Sequence, residues 1–99
     1  MSTAAEKAHL RRVCSLGCIL CGRPAVPHHI RSVAAGSGTG HKVSDYLAIP
    51  LCNDHHTTGG YGVAFHAGPM IWEQTYGPQQ YHLDQVYAEL GIEPASLLQ

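Results

Sequence analysis

The chain carries little charge and few large side chains. Only 13% of its residues are Asp, Glu, Lys or Arg, and it has one Trp, one Phe and two Met. It has no run of ~18 consecutive apolar residues, so no membrane-spanning helix is expected. The first residues, MSTAAEKAHLRR, include no apolar stretch of the secretory kind, and a cytoplasmic location is expected. With 99 residues and 10.6 kDa the chain reads as one domain, which excludes a barrel or doubly wound enzyme. The 44% of apolar residues permits a core, but one this small has a thin stability margin and needs some further staple. Basic residues are missing beyond position 42: Lys7, Arg11, Arg12, Arg23, Arg31 and Lys42 are all of them. Six of the seven acids begin at Asp45, so a net charge of −1 conceals +5 over residues 1–42 and −6 over the rest. Such asymmetry suits one basic face for phosphates, with ordinary solvated charge as the plainer reading.

What the chain has in excess is metal-ligand chemistry: eight His and four Cys. In a reducing cytosol four cysteines read as metal ligands or buried thiols rather than as two disulfides. Cys18-x-x-Cys21 offers two thiolates from one tight turn, and Cys52-x-x-His55 repeats the spacing thirty residues later. Together they form a Cys₃His set of structural-zinc type, and bound zinc would supply the missing staple. A thioredoxin-type redox CxxC needs a βαβ setting that the pattern does not offer. Cys14, Cys18 and Cys21 also make a CxxxCxxC array like that of radical-SAM enzymes, but their barrel requires a chain of ~200 residues or more. Cys14 is expected on a helix facing the core. The loop GSGTGHK lacks the spacing of a P-loop and reads as a connection whose glycines and Lys42 can approach a phosphate backbone.

Thr3 to Glu6 has the form of a capping box, predicting a helix over about 3–16 with Ala8, Val13 and Leu16 on one side. AVPHHI and YLAIPL read as short strands, the second ended or placed at an edge by Pro50. NDHHTT reads as a short helix capped by Asn53 or Asp54 and stopped at Gly59-Gly60, and YGVAF as strand or loop. Pro69 opens a helix through IWEQTY. Leu83, Val86, Tyr87 and Leu90 at i, i+3, i+4 and i+7 mark an amphipathic helix that stops at Gly91. Trp72, Tyr76 and this last helix are expected to fill the core. The sum is a single α+β domain of αββα type with a further C-terminal helix.

A second group of polar residues is left over: His28, His29, Asp45, His56 and His66. Neighbours in a strand point to opposite sides, so His28 and His29 serve different purposes. In a helix His55 and His56 diverge by about 100°. One member of each pair can serve the structural metal or the core while the other faces a second site. Two imidazoles from separate elements, joined by a third His or an acid, suffice for a divalent cation with open positions. His9, Cys14, His41 and His82 need no special role.

The order CxxC, HHI, Gly-rich loop, PLC, HH and a later HxG before an aromatic helix resembles the HNH (ββα-metal, His-Me finger) endonucleases. It looks most like the phage Ref-type recombination-enhancement nucleases and small prophage HNH proteins. The match covers about residues 18–77. The resemblance implies a ββα-metal core with a zinc knuckle at Cys18, Cys21, Cys52 and His55, flanked by N- and C-terminal helices. It implies His29 as the general base, with His28 and His56 as ligands of a catalytic cation. His66 is implied as a third ligand or phosphate contact. The motif Asn is not five residues before Cys52, where this chain has Leu47, and Asp45 takes the orienting role instead.

The implied activity is hydrolysis of DNA phosphodiester bonds with Mg²⁺ or another divalent cation, in the cytoplasm of a bacterial host. DNA is the implied partner, with a recombinase such as RecA or another phage protein beside it. A neutral imidazole can take a proton from water while a cation neutralises a phosphate oxygen and the leaving 3′-oxygen. Lys7, Arg11, Arg12, Arg23, Arg31 and Lys42 would hold the backbone with weak sequence preference. The alternatives are a non-catalytic, zinc-stabilised module that binds nucleic acid or protein without cutting, and a purely structural interaction protein.

Overall fold

The computed structural model describes residues 2–31 and 44–93. The expected loop GSGTGHK, with His41 and Lys42, falls outside them. Helix α1 spans Ala4–Ser15 and starts where the capping box predicts. Thr3 Oγ1 accepts the Glu6 N–H at 3.1 Å and Glu6 Oε1 accepts the Thr3 N–H at 3.0 Å. The buried side of α1 is His9 and Val13, one turn apart. Cys14 is only half-buried beside them, and Leu16, expected on the buried side, is exposed because the helix has already ended when the chain reaches it. Gly17 then turns the backbone at φ 78, where a Cβ would stand 2.8 Å from the Gly22 carbonyl oxygen.

Strands β1 (Val26–His29) and β2 (Ala48–Leu51) pair antiparallel, with Pro27 opposite Pro50 and His28 opposite Ile49. Two prolines face each other without loss to the ladder. The Pro50 carbonyl accepts from Ile19 N–H at 2.9 Å, so the polar edge of that residue points away from β1 and the pair is of the non-hydrogen-bonded kind. The ladder continues past the strand end, where Ile30 N–H donates to Leu47 C=O at 2.9 Å.

After Cys52 the chain makes a single π-helical turn, Asp54–Thr58, wider than the α turn that the sequence suggests. Neither expected cap forms, since Asn53 makes no capping bond and Asp54 binds Thr58 and Arg23 instead. YGVAF is turn rather than strand and leads into a 3₁₀ turn, Phe65–Ala67. Helix α2 spans Pro69–Tyr76 and helix α3 spans Gln79–Leu90. Leu83, Val86 and Tyr87 of α3 are buried as predicted, and Leu90 is half-buried. Gly91 closes the helix at φ 69, with Ile92 N–H on Tyr87 C=O at 2.9 Å.

Helices α1 and α3 both pack on β2, every residue of which is buried. Ile49, Leu51, Phe65, Trp72, Leu83 and Val86 form the centre of the core. The architecture is thus a small α+β domain around a two-stranded sheet. Among the described residues no helix is long and apolar enough to cross a membrane.

Candidate metal centres

The turn Gly17–Arg23 is built for two thiols. Gly22 N–H donates to Cys18 C=O and Cys18 N–H to Arg23 C=O, each at 2.8 Å, so Cys18 and Cys21 are held on one knuckle. Strand β2 delivers Cys52, and the π-turn delivers His55. Cys52 Sγ lies 3.2 Å from His55 Nδ1 and 3.7 Å from Cys21 Sγ, while Cys18 Sγ lies 3.7 Å from His55 Nδ1. All four ligand atoms fall within 4.8 Å of one another, and the set could hold a metal ion. All four cysteines are free thiols.

Arg23 belongs to this cluster. Its Nε reaches Cys21 Sγ at 3.4 Å and its Nη2 reaches Cys52 Sγ at 3.6 Å and Asp54 Oδ2 at 3.2 Å. Hydrogen bonding from Arg23 pulls the Cys21 thiol down to about 6, whereas burial raises that of Cys18. A guanidinium beside the Cys21 sulfur favours its thiolate, the form that binds metal. Charge counting placed Arg23 among the phosphate contacts, and the structure gives its side chain these nearer partners.

The second cluster consists of His28, His56 and His66, whose ligand atoms also lie within 4.8 Å of one another. His28 is buried on β1, and its ring packs at 4.3 Å from that of Phe65. His56 Nε2 and His66 Nε2 stand 3.1 Å apart. Burial is the first cause of the lowered pKa values of all three, bringing His28 down to about 3, and the nearby positive charge of Arg31 adds to it. Near pH 7 the three rings are therefore neutral and carry the lone pairs that a cation needs. This set too could hold a metal ion.

His29 points to the other side of β1 from His28, as strand alternation requires. Its Nε2 lies 2.7 Å from Asp45 Oδ1. The carboxylate is buried, with 4% of its side chain exposed, and the imidazole is open, with 33% exposed. Ser2 Oγ donates to the second oxygen of Asp45. The arrangement is an accessible imidazole oriented by a buried acid.

The remaining basic residues scatter. Lys7 and Arg11 are exposed on α1, and Arg12 Nη2 donates to Leu90 C=O at 3.1 Å, holding the C-terminal end of α3. Arg31 is exposed at the end of β1, near the three imidazoles whose protonation it opposes. Sequence reasoning missed Gln79, buried at the start of α3, whose Oε1 lies 3.0 Å from His28 Nε2. A Gln after Gly-Pro carries no signal of such a role. It also missed that His9 and His82 are buried.

A family model described as a protein of unknown function (DUF968) matches residues 1–92. The chain belongs to the DUF968 family. Both ligand clusters and the His29–Asp45 pair lie inside the stretch that defines this DUF968 domain. No curated protein and no solved structure matches the chain.

Proposed function

We propose that this DUF968 protein is a metal-dependent endonuclease of HNH type that hydrolyses DNA phosphodiester bonds. The observation that carries the reading is the pairing of two separate clusters with an acid-oriented imidazole. Cys18, Cys21, Cys52 and His55 fit a closed structural site, and His28, His56 and His66 leave coordination positions open. His29, the residue beside one of the second-site ligands, is held by Asp45.

The Cys₃His set fits zinc. At metal–sulfur and metal–nitrogen distances of about 2.3 and 2.1 Å, a tetrahedron has edges of roughly 3.8 Å between sulfurs and 3.6 Å between sulfur and nitrogen. The 3.7 Å sulfur–sulfur and the 3.2 and 3.7 Å sulfur–nitrogen separations lie near those edges. At the second site the 3.1 Å between two imidazole nitrogens lies between octahedral and tetrahedral edges of roughly 3.0 and 3.4 Å. Three neutral imidazoles without a carboxylate favour a borderline ion such as Co²⁺, Ni²⁺ or Zn²⁺ over hard, oxygen-seeking Mg²⁺. Of the two cation classes open from sequence, the donor set favours the transition metals.

When bound, such a cation supplies charge to a phosphate oxygen and to the leaving 3′-oxygen. The protein's own groups do the rest. His29 donates its Nε2 hydrogen to Asp45, which leaves Nδ1 with the lone pair that removes a proton from water. Asp45 holds that tautomer and the orientation of the ring. Arg31, close to the three imidazoles, binds phosphate, and Lys7 and Arg11 extend the contact along the backbone.

The test is nicking of supercoiled plasmid with Mn²⁺, Co²⁺, Mg²⁺ or EDTA. The expected result is cleavage with the transition ions, less with Mg²⁺ and none with EDTA. His29→Ala should lower the rate about 10²–10⁴-fold with fold and tightly bound zinc retained. Cleavage by that variant at the wild-type rate refutes the base, and binding of DNA without any cleavage establishes the non-catalytic module instead.

A further inference from the structure

Gln79 is the first residue of α3, placed by Gly77 and Pro78, and it is buried. Its side chain continues the β1 ladder where the strand runs out. Oε1 accepts the Arg31 N–H at 2.9 Å, and Nε2 donates to the Arg31 C=O at 2.6 Å. Nε2 also donates to Glu73 Oε2 at 3.2 Å, and the same carboxylate oxygen accepts the Gln79 backbone N–H at 2.9 Å. These partners leave no choice of amide orientation. A backbone N–H can only donate and a backbone C=O can only accept, so a flipped amide would lose both bonds and turn its oxygen toward a carboxylate.

The oxygen of this fixed amide stands 3.0 Å from His28 Nε2. An amide oxygen can only accept, so Nε2 of His28 must carry the ring hydrogen, and the lone pair is then on Nδ1. We propose that Gln79 is a positioning residue that locks His28 in the Nε2–H tautomer and presents Nδ1 to the cation shared with His56 and His66. The inference rests on the reading of those three imidazoles as a cation site. It assigns the donor atoms as Nδ1 of His28 with, from their mutual approach, Nε2 of His56 and of His66. Glu73 takes part indirectly, by holding the Gln79 amide. An outer partner of this kind fixes ring orientation and raises ligand basicity.

The first measurement needs no variant. Long-range ¹H–¹⁵N NMR is recorded on the full chain with the Cys₃His site loaded and no second ion. The expected spectrum shows His28 with Nε2 protonated and Nδ1 bare. The second measurement is calorimetric titration of that protein with Co²⁺, using His66→Ala as the control that identifies the site. Gln79→Met keeps the bulk and removes the hydrogen bonds, and it should weaken Co²⁺ binding about 10–100-fold. The same variant should free His28 to populate both neutral tautomers in the long-range ¹H–¹⁵N spectrum, a change that a merely structural role would not produce.

An Nδ1–H tautomer in the wild-type protein, or a folded Gln79→Met variant whose Co²⁺ affinity stays within twofold of wild type, overturns the role of Gln79 alone. Absence of Co²⁺ binding sensitive to His66→Ala in the wild-type protein overturns the cation site itself, and the inference with it.

Discussion

Removing the ion from the Cys₃His site is expected to lower the melting temperature of the protein by about 16–32 °C. The four donors join parts of the chain that are distant in sequence: the knuckle at Cys18 and Cys21, and the end of β2 with the π-turn, 31 and 37 residues away. An ion that binds only the folded chain adds about 4 kcal/mol when its free concentration is a thousandfold above Kd. In a domain of this size each kcal/mol moves the melting temperature by about 4–8 °C, which gives the range stated. That free energy is comparable with the whole stability of a small domain, about 5–15 kcal/mol. Buried Cys18 and Cys52 would remain with only weak sulfur hydrogen bonds in place of the ion.

The assay is thermal unfolding followed by far-ultraviolet circular dichroism on the protein as purified and after chelation, with metal content measured by mass spectrometry on both samples. Cys52→Ser should reproduce most of the loss, and Cys14→Ser, outside the cluster, should not. A chelated, metal-free protein that melts cooperatively within about 5 °C of the purified one refutes the structural role of the ion. Reversibility on adding Zn²⁺ back separates metal loss from damage to the thiols.

Acid should destabilise the fold through its buried neutral imidazoles. Burial depresses the pKa of His9 and brings that of His28 down to about 3, against about 6.5 for an exposed imidazole. The unfolded chain therefore binds more protons, and stability present above pH 6.5 is lost as pH falls from there toward 3. Urea midpoints should fall across that window. His9→Leu, which removes a buried Nε2 without a hydrogen-bond partner among the described residues, should hold stability at pH 7 to within about 1 kcal/mol and flatten the acid slope; a larger loss at pH 7 would show that the ring has a partner it needs. DNA binding should weaken steeply with salt, and the double variant Lys7→Gln, Arg11→Gln should reduce the slope of log K against log salt by about 2. An unchanged slope would remove α1 from the phosphate contact.

The parts of the fold legible in the sequence are those set by local rules. The Thr3–Glu6 pair starts α1 because its two side chains satisfy backbone groups three residues away, and that information is entirely local. Leu83, Val86 and Tyr87 mark the buried face of α3 through helical spacing alone. The doubled histidines were informative for the same reason: strand alternation sends His28 and His29 apart, and consecutive positions on a turn send His55 and His56 apart. What the sequence could not show depends on partners distant along the chain. Gln79 meets His28 across 51 residues, and nothing in its neighbours distinguishes it from an exposed glutamine. A count of positive charge cannot reveal that Arg23 faces two sulfurs or that Arg12 holds the last turn of α3. The wider π-turn was hidden as well, because Arg23, 31 residues before Asp54, holds the start of that five-residue segment.

That turn carries one residue of each cluster, His55 and His56. Five residues cannot hold a helical shape from their own hydrogen bonds, since nucleation costs more than one turn returns. Here His56 N–H on Cys52 C=O and Gly59 N–H on Asp54 C=O, both at 2.9 Å, are supported by the bond of Asp54 to Thr58 and its ion pair with Arg23 of the knuckle. On the proposed reading, zinc fixes His55 and so sets the position of the residue after it, His56, in the second site. The other two ligands have supports of their own, His28 on the strand with Gln79 and His66 beside the buried Phe65. Loss of the zinc should therefore weaken the second site through His56 alone. Because coupling between binding sites is reciprocal, a cation at the second site should tighten the first by the same factor. On the proposed reading the two ions therefore favour each other's binding, and neither is strictly required for the other.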